Sequence, residues 1–245
     1  YDFLRLNEDY GCEMQAGGSD QWGNITAGID LIRRVSNRKA YGLTFPLVTK
    51  SDGTKFGKTE SGTIWLDPAK TTPYRFFQFW INTDDRDVIK FIKYFTFLSR
   101  DEIIDLEKEV DENPGKREAQ RVLAREVTAL VHGKDALSRA EKISQALFYG
   151  NVKDLMEDEI EEGLMDVPSV TIEGKEIGIV DLLVTAGISP SRRQAREDLK
   201  NRAIYINDQC VTDINKMLGL NDRLRERYTV IRRGKKNYFL VKWLS

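Results

Sequence analysis

Cysteine and histidine are scarce in this chain, which has 245 residues, two cysteines and one histidine. Cys12 and Cys210 cannot form a disulfide framework, and His132 alone cannot complete a His/Cys metal cluster. A catalytic triad that depends on histidine is disfavoured for the same reason. We therefore expect no metal site built by the protein itself, and chemistry that depends on other side chains.

Long apolar runs are also absent. No window of about 18 apolar residues occurs, which excludes a membrane-spanning helix, and residues 1–6 lack the basic and apolar regions of a secretory signal. With 40% hydrophobic and 31% charged residues, the composition is typical of a soluble globular protein, for which we expect a cytoplasmic location and no membrane partner. The first residues lack a starting Met and have the pattern of a helix already under way, so we expect a fragment.

The net charge of −1 hides a segregation of charge along the chain. Residues 144–176 carry two basic and nine acidic side chains, whereas residues 177–245 carry fourteen and seven. An acidic stretch followed by a basic module suggests a linker and then a domain that binds a polyanion. The alternative is a solvated surface on which charges cluster by chance.

Hydrophobic spacing predicts an α/β region at the start of the chain. Residues 12–16 are a strand candidate that leads into a loop at Gly17–Asp20, and a helix follows. The predicted apolar face of this helix comprises Trp22, Ile25, Ile29 and Ile32. Residues 44–48 are a second strand candidate, and residues 49–62 form a polar, glycine-rich loop.

Residues 73–147 carry the spacing of about five helices. Thr72 is the predicted N-cap and Pro73 the first residue of the first helix, and Ser99 with Glu102 forms a predicted capping box. Pro114–Gly115 is predicted to end the helix that follows this box. The predicted inward faces comprise Phe77, Trp80, Ile81, Ile103, Leu106, Val110, Val122, Leu123, Val127, Leu130, Val131, Leu137, Ala140, Ile143 and Leu147.

Residues 177–245 have an α+β pattern. A short helix over 180–185 ends at Gly187, and Ser189–Pro190 is predicted to start a second helix. The remaining predicted elements are a strand over 203–206, a turn at Asn207–Asp208, and two final strands over 228–232 and 238–243 that flank a turn.

The pair Gly17–Gly18, followed by Asp20, is the first candidate binding site. Glycines leave the backbone accessible to a ligand, and a carboxylate at the start of a helix can accept hydrogen bonds from two ribose hydroxyls. The signal is weak alone, because a structural loop in which Asp20 is the N-cap residue would have the same sequence.

The run Lys55-Phe56-Gly57-Lys58-Thr59 is the second candidate site. It is not a P-loop, because only three residues separate Gly53 from Gly57 where that motif has four. Two ammonium groups and a hydroxyl on a flexible loop are suited to stabilising the charge that develops on a reacting polyphosphate. An ordinary solvated loop is the alternative.

Seven cations of the basic module are candidates for contacts with RNA phosphates. They lie on the second predicted helix and at the final turn, and they are Arg192, Arg193, Arg196, Arg232, Arg233, Lys235 and Lys236. Such cations give an affinity for RNA that falls steeply with salt, although seven exposed cations would also serve solubility alone. Tyr228 and Tyr238, beside the turn, would either stack on bases or pack within a small core.

Three motifs together resemble the bacterial tyrosyl-tRNA synthetase family. They are Gln15-Ala-Gly-Gly-Ser-Asp-Gln-Trp-Gly-Asn24, Lys55-Phe-Gly-Lys-Thr59 and Arg192-Arg-Gln-Ala-Arg196, and the resemblance extends over the whole chain in order. It implies a multidomain fold with α/β, all-α and α+β parts. The implied parts are the end of a Rossmann-type class I catalytic domain over 1–72, a helical anticodon-binding domain over 73–148, an acidic linker over 149–176 and an S4-like RNA-binding domain over 177–245.

The resemblance also implies roles for single residues around the amino acid and the adenylate. Asp2 corresponds to the carboxylate that receives the phenol hydroxyl of tyrosine. Gln15 and Gln21 correspond to side chains that line the amino-acid pocket. The implied ATP- and adenylate-binding positions are Gly17, Gly18, Asp20 and Lys58.

The lysine loop corresponds to the catalytic signature loop of the family. Lys55, Lys58 and Thr59 match the residues that close over the ATP phosphates. The family also has a His-Ile-Gly-His-type motif, which has no counterpart here because His132 lies in the helical region. We therefore expect that half of the catalytic domain is missing and that this chain alone is inactive.

The implied function is that of a tyrosine–tRNA ligase. Such an enzyme uses ATP with Mg²⁺ to convert L-tyrosine to tyrosyl-adenylate, transfers the tyrosyl group to tRNA(Tyr), and acts as a homodimer. The alternative, from another class, is a non-catalytic RNA-binding protein built on the helical and S4-like modules. ATP–pyrophosphate exchange with tyrosine separates the two.

Overall fold

The computed structural model of the chain describes residues 1–51, 53, 56, 58–59, 62–235 and 237–244. The chain divides into two compact units, Tyr1–Thr63 and Ile64–Ser245. Among the described residues, no helix is both long enough and apolar enough to cross a bilayer.

The first unit is a small α/β layer. Helices α1 (Asp2–Tyr10) and α2 (Trp22–Ser36) pack together, and strand β1 (Met14–Gly18) pairs in parallel with β2 (Tyr41–Phe45). A Cβ on Gly42 of β2 would lie 2.6 Å from Cγ2 of Ile25 in α2. The sheet and α2 are therefore in close contact, and α2 covers one face of the sheet.

The strands of this unit differ from the predicted ones. β1 continues through Gly17 and Gly18, which we predicted to be loop, because both residues pair with β2. β2 ends at Phe45 rather than beginning near it, since Pro46 lacks the amide hydrogen that a strand partner needs. Within the predicted loop, β3 (Lys58–Thr59) and β4 (Gly62–Thr63) form a short antiparallel ladder.

The other face of the β1–β2 sheet is apolar and open within this unit. Alternation along the strands places Met14, Tyr41, Leu43 and Phe45 on the side away from α2, and all four are exposed. Trp22, which we predicted to face the core, is 53% exposed, whereas Ile25 and Ile32 are buried. A sheet of parallel strands usually has both faces covered.

Five helices begin the second unit: α3 (Pro73–Ile81), α4 (Asp85–Phe95), α5 (Arg100–Glu112), α6 (Glu118–His132) and α7 (Lys134–Tyr149). Both predicted start signals are confirmed. The Thr72 hydroxyl accepts a hydrogen bond from Arg75 N, and Ser99 and Glu102 form the capping box. α5 ends before Pro114, as predicted.

Aromatic side chains form the centre of these helices. Trp80 packs edge-to-face against Phe76 and Phe91, with ring centroids 6.1 and 6.3 Å apart. Leu123 of α6 and Ile143 of α7 are fully buried, as predicted. Leu130, which we predicted to face inward, is 60% exposed.

Among the described residues of the second unit, three more α-helices and seven strands follow: α8 (Glu157–Gly163), β5 (Ser169–Glu173), β6 (Ile177–Gly178), α9 (Ile179–Thr185), α10 (Arg192–Lys200), β7 (Ile204–Ile206), β8 (Gln209–Cys210), β9 (Met217–Leu218), β10 (Tyr228–Arg233) and β11 (Asn237–Leu244). Five of these strands form one sheet in the order β5-β11-β10-β7-β8. All its neighbouring pairs are antiparallel except β11 with β5. The two predicted final strands are confirmed, each one residue longer at the turn.

The segment 149–176, which we expected to be an acidic linker, is folded against both of its neighbours. It contains α8 and β5, and its residues Leu155, Ile160 and Leu164 are buried in a core shared with α7, β10 and β11. Acidic residues of the segment also form ion pairs with α7. Glu159 pairs with Lys142 at 2.7 Å, and Glu162 pairs with Arg139 at 2.9 Å. The helices and the basic module therefore share one core.

Candidate functional site

The carboxyl end of β1 forms a corner of bare backbone. Gly17 and Gly18 end the strand, and Ser19–Gln21 form a 3₁₀ turn before α2 begins. A Cβ on Gly18 would lie 2.6 Å from Asp20 Oδ1 and 2.9 Å from Leu47 Cδ2, so a larger residue would displace one of them. Ligands of open α/β sheets bind beyond the carboxyl ends of the strands, which is where this corner lies.

Asp20 is an exposed carboxylate at this corner. Gln21 Nε2 lies 3.4 Å from Asp20 Oδ2, and Gln21 Oε1 accepts a hydrogen bond of 2.9 Å from Asn24 Nδ2. The N-cap residue of α2 is Gln21, without a side-chain cap, so the alternative in which Asp20 caps the helix is wrong. The Asp20 oxygens retain lone pairs that can accept hydrogen bonds from ligand hydroxyls.

Asp2 and Gln15 lie in the same unit as this corner. Asp2 is the exposed first residue of α1, and Gln15 is half-buried in β1. Neither side chain makes a hydrogen bond within the part of the chain that the structure describes. The structure thus groups Gly17, Gly18, Asp20 and Gln21, while the roles of Asp2 and Gln15 stay predictions.

Much of the lysine loop lies outside the described residues. Lys55 is one of the residues that the structure does not describe. Lys58 and Thr59 are described as strand β3, in which Lys58 is paired with Thr63 and Thr59 with Gly62. The catalytic role of this loop also stays a prediction.

Helix α10 presents three arginines to solvent. Arg192, Arg193 and Arg196 are all exposed, whereas Ala195 and Leu199 are buried. Arg192 forms an ion pair with Asp181 at 2.8 Å. Arg193 and Arg196 form no ion pair with any described residue, so their charges are available to a partner.

The two arginines at the end of β10 have internal partners. Arg233 Nη1 donates a hydrogen bond to Ile188 O at 2.8 Å, and Arg233 Nη2 lies within 3.1 Å of both oxygens of Asp198. The Arg232 guanidinium lies over the ring of Tyr205, 4.0 Å from its centroid. Arg233 is thus part of the internal structure. Of the remaining predicted cations, Lys235 is exposed and Lys236 is outside the described residues.

Asp198, the partner of Arg233, is a nearly buried carboxylate whose side chain is 8% exposed. Burial raises its pKa, but hydrogen bonds from Ser189 Oγ (2.7 Å) and Gln194 Nε2 (3.0 Å), together with the charge of Arg233, outweigh burial and hold the pKa below its ordinary value. Our prediction that Ser189–Pro190 starts this helix is wrong, because α10 begins at Arg192. The N-cap is Ser191, whose hydroxyl accepts from Gln194 N.

Tyr228 and Tyr238 are used in packing, which was one of the two predicted alternatives. Tyr228 is buried and its hydroxyl donates to Glu161 at 2.6 Å; burial, followed by the contact with Glu161, raises its pKa to about 12. The Tyr238 hydroxyl donates to Leu147 O at the end of α7. Both tyrosines join the C-terminal sheet to the helices before it.

Among the residues that the structure describes, no group of three or more His, Cys, Asp or Glu side chains is placed to hold a metal ion. His132 lies at the end of α6, with its ring centroid 4.8 Å from that of Phe76 in an edge-to-face contact. Burial lowers the pKa of His132. These surroundings are those of a packed side chain.

Comparison with known proteins first defines the class. Residues 1–149 match the family model of tRNA synthetases class I (W and Y). Residues 159–241 match the model of the Tyrosine--tRNA ligase SYY-like C-terminal domain. The chain therefore belongs to the class I tRNA synthetases, and within them to the bacterial-type tyrosyl-tRNA synthetases, which confirms the resemblance seen in its motifs.

Individual relatives agree with this assignment. Tyrosine--tRNA ligase of Geobacillus stearothermophilus is 62% identical over 244 residues, and that of Desulfitobacterium hafniense is 61% identical over 245 residues; each match covers 99% of this chain and 58% of the relative. A solved structure, a C-terminally truncated mitochondrial tyrosyl-tRNA synthetase of Aspergillus nidulans, is 33% identical with a TM-score of 0.51 and covers 60% of this chain and 42% of that one. The chain thus spans little more than half the length of its curated relatives.

Proposed function

We propose that this chain is part of an enzyme that joins L-tyrosine to tRNA(Tyr), which is the activity for which its relatives are named. The observation that carries the proposal is the 62% identity over 99% of the chain, because it extends through both the α/β unit and the basic module. The chain spans 58% of that relative's length, so we expect it to supply part of the catalytic machinery rather than all of it.

The proposed reaction has two steps. In the first, a carboxylate oxygen of L-tyrosine attacks the α-phosphorus of ATP, which enters with Mg²⁺, to form tyrosyl-adenylate and release pyrophosphate. In the second, a ribose hydroxyl at the 3′ end of the tRNA takes the tyrosyl group and AMP leaves. No covalent bond to the enzyme is needed, because positioning and charge stabilisation can supply the acceleration.

We assign adenylate binding to the corner at the end of β1. The bare backbone of Gly17 and Gly18 allows close approach of the ligand, and the exposed Asp20 carboxylate accepts hydrogen bonds from the ribose hydroxyls. Gln21, which lies beside Asp20, and Gln15, which precedes the glycines in β1, line the amino-acid pocket in this proposal.

The remaining catalytic assignments follow the family. Asp2 receives the phenol hydroxyl of tyrosine, and Lys55, Lys58 and Thr59 meet the charge that develops on the ATP phosphates. This division of labour predicts that Lys58→Ala lowers the rate of adenylate formation more than it weakens tyrosine binding.

We assign the tRNA phosphates first to the exposed face of α10, where Arg193 and Arg196 have no internal ion pair, and to Lys235 and Lys236 at the final turn. Arg192, Arg232 and Arg233 are less available, because each has a partner within the chain. The S4-like character of residues 177–245, the anticodon-binding role of residues 73–148, the homodimer and the cytoplasmic location belong to the same proposal.

ATP–pyrophosphate exchange with tyrosine tests the activity, on this chain and on a chain extended upstream to the length of the relatives. We expect exchange with the extended chain, and none when phenylalanine replaces tyrosine. Binding of tRNA without any exchange in the extended chain would favour the alternative, a non-catalytic RNA-binding protein.

A further inference from the structure

A cavity of about 350 Å³ opens on the C-terminal part of the second unit, between the β7–β8 turn and the loop that precedes β10. Four basic side chains and one acidic side chain line it, which gives the lining a formal charge of +3; they are Lys153, Lys216, Arg223, Arg225 and Asp222. None of the four cations was among those that the sequence had indicated. The cavity is therefore a second concentration of positive charge.

The single carboxylate of the cavity is already committed to partners within the chain. Asp222 Oδ1 forms an ion pair with Lys216 at 2.9 Å, and Asp222 Oδ2 accepts a hydrogen bond of 3.2 Å from Gly219 N. Asp222 therefore neutralises Lys216. The charges of Lys153, Arg223 and Arg225 are left without a carboxylate among the lining residues.

Both arginines are held by neutral acceptors. Arg223 Nη2 donates to Lys175 O at 2.7 Å, and the guanidinium lies 4.1 Å from the ring centroid of Trp243. Arg225 Nε donates to Leu155 O at 2.9 Å. Backbone carbonyls and an aromatic ring fix the position of a guanidinium without cancelling its charge, so little side-chain entropy remains to be lost when an anion binds.

The loop that carries Arg225 has a strained backbone conformation. Arg225 and Glu226 have φ angles of 50° and 60°, in the left-handed region that non-glycine residues rarely occupy. The bridge between Leu224 and Tyr228 closes the loop around them. Glycine would adopt this conformation with less strain than arginine. The backbone conformation therefore does not explain the arginine at position 225.

Lys153 lies at the mouth of the cavity. Its side chain is exposed, and its ammonium makes no hydrogen bond or ion pair with any residue in the described ranges. Its own backbone carbonyl accepts a hydrogen bond of 3.3 Å from Arg225 Nη2, which holds the two cationic residues next to each other. A free ammonium beside two fixed guanidiniums suits a phosphate group.

We propose that this cavity binds a phosphate of the RNA backbone, with Lys153 and Arg225 as its principal donors and Arg223 as a fixed charge behind them. The proposal rests on the proposed function, because it takes RNA as the ligand, and it adds a phosphate contact away from the arginines of α10. A free phosphate ion shares the chemistry, and the experiment below separates the two sources.

The test is filter binding of tRNA(Tyr) across a series of salt concentrations. Lys153→Ala should weaken binding by about tenfold at low salt and reduce the salt slope by about one unit, as expected for one lost phosphate contact. Lys39→Ala is the matched control. It removes the same charge from an exposed, unpaired lysine of the first unit, to which no contact with RNA is assigned.

Arg225→Gly is the second variant. Glycine accepts the left-handed backbone, so the cation is removed without adding strain to the loop. We expect the same loss of affinity and slope as for Lys153→Ala. Thermal unfolding of each variant, measured first, separates a binding defect from a folding defect.

Three outcomes would overturn the proposal. If neither this chain nor the chain extended to the length of its relatives binds tRNA, both the proposed function and the phosphate site fail. If the wild type binds but Lys153→Ala matches Lys39→Ala, the phosphate site alone fails. If inorganic phosphate shifts the side-chain NMR signals of Lys153 while the Lys153→Ala variant keeps full tRNA affinity, the cavity takes a free anion and not RNA.

Discussion

The two compact units differ in how far they bury the hydrophobic faces of their sheets. In Tyr1–Thr63 a sheet of two strands is covered by α2 on one face, and Tyr41, Leu43 and Phe45 remain exposed on the other. In Ile64–Ser245 a sheet of five strands shares its core with the helices, and residues such as Val230 and Leu240 are buried. In the second unit, unlike the first, the apolar face of the sheet is therefore covered by helices of the same unit.

Charged residues have different uses in the two units. In the second, buried or nearly buried carboxylates join elements that are distant in sequence, as Asp198 does with Arg233 and Glu159 with Lys142. In the first, the ion pairs that the structure describes lie within single helices, such as Arg33 with Asp30 in α2. The comparison indicates that mutations of charge will affect the second unit more.

The largest effect is expected for Arg233→Ala. The substitution leaves the nearly buried Asp198 without its cation and Ile188 O without a donor, and breaking such a pair costs about 3 kcal/mol. We expect the free energy of unfolding of the second unit to fall by that amount. Urea unfolding in a Trp22→Phe background measures it, because the remaining tryptophans, Trp65, Trp80 and Trp243, all lie in the second unit.

Arg193→Ala is the control for this prediction. Arg193 lies on the exposed face of α10 without an internal ion pair in the described part of the chain, so its loss should change stability by no more than about 0.5 kcal/mol. If the two substitutions lower the free energy of unfolding equally, the contacts of Arg233 with Asp198 and Ile188 do not stabilise the fold. The same pair of variants also separates a loss of tRNA affinity from a loss of fold.

Acidification should give the next largest effect, again in the second unit. The pKa of Asp198 and the pKa of Glu159 are both held below their ordinary values of 3.8 and 4.5; burial alone would raise each, but hydrogen bonds from Ser189 and Lys142 respectively, with the nearby cations, outweigh it. A carboxyl with a lowered folded-state pKa stabilises the fold above its unfolded pKa. This stability is lost as the pH falls from about 5 through the folded-state value.

Urea midpoints of the Trp22→Phe variant at pH 7 and pH 4 provide the measurement. We expect a lower midpoint at pH 4, and a smaller pH dependence when Asp198 is replaced by Asn. In the first unit Asp30 also has a lowered pKa, mainly through its hydrogen bond with Arg33, but it is exposed and should contribute little. Equal acid sensitivity of the two units by hydrogen exchange would contradict the comparison.

Gly18→Ala tests the corner at the end of β1. The added Cβ would meet Asp20 Oδ1 at 2.6 Å and Leu47 Cδ2 at 2.9 Å, and overpacking of this kind costs about 1–2 kcal/mol. Hydrogen exchange of peptides from β1 and α2 should show faster opening. Gly23→Ala, in the first turn of α2 with nothing within 4 Å of its Cβ, is the control and should be neutral or slightly stabilising.

Local signals account for what the sequence predicted correctly. The caps at Thr72 and Ser99 depend on residues within three positions of each other, so they could be found by spacing alone. The role of Arg233 could not, because its partner Asp198 lies 35 residues away. β5 was missed for the same reason, since it pairs in parallel with β11 at the other end of the module. Asp2 was indicated only by the family resemblance.

The smallest effect is expected for Leu43→Lys, which tests the open face directly. Leu43 is 45% exposed on the side of the sheet away from α2, so a lysine there can extend its ammonium into water and should change stability by no more than about 0.5 kcal/mol. Binding of an apolar dye should decrease because the exposed apolar surface becomes smaller. Ile25→Ala, on the covered side and 2% exposed, should cost about 2 kcal/mol. Hydrogen exchange of peptides from β2 and α2 measures both changes in stability. If Leu43→Lys were as costly as Ile25→Ala, the face would be covered in solution, and the contrast between the two units would not hold for the sheet of the first.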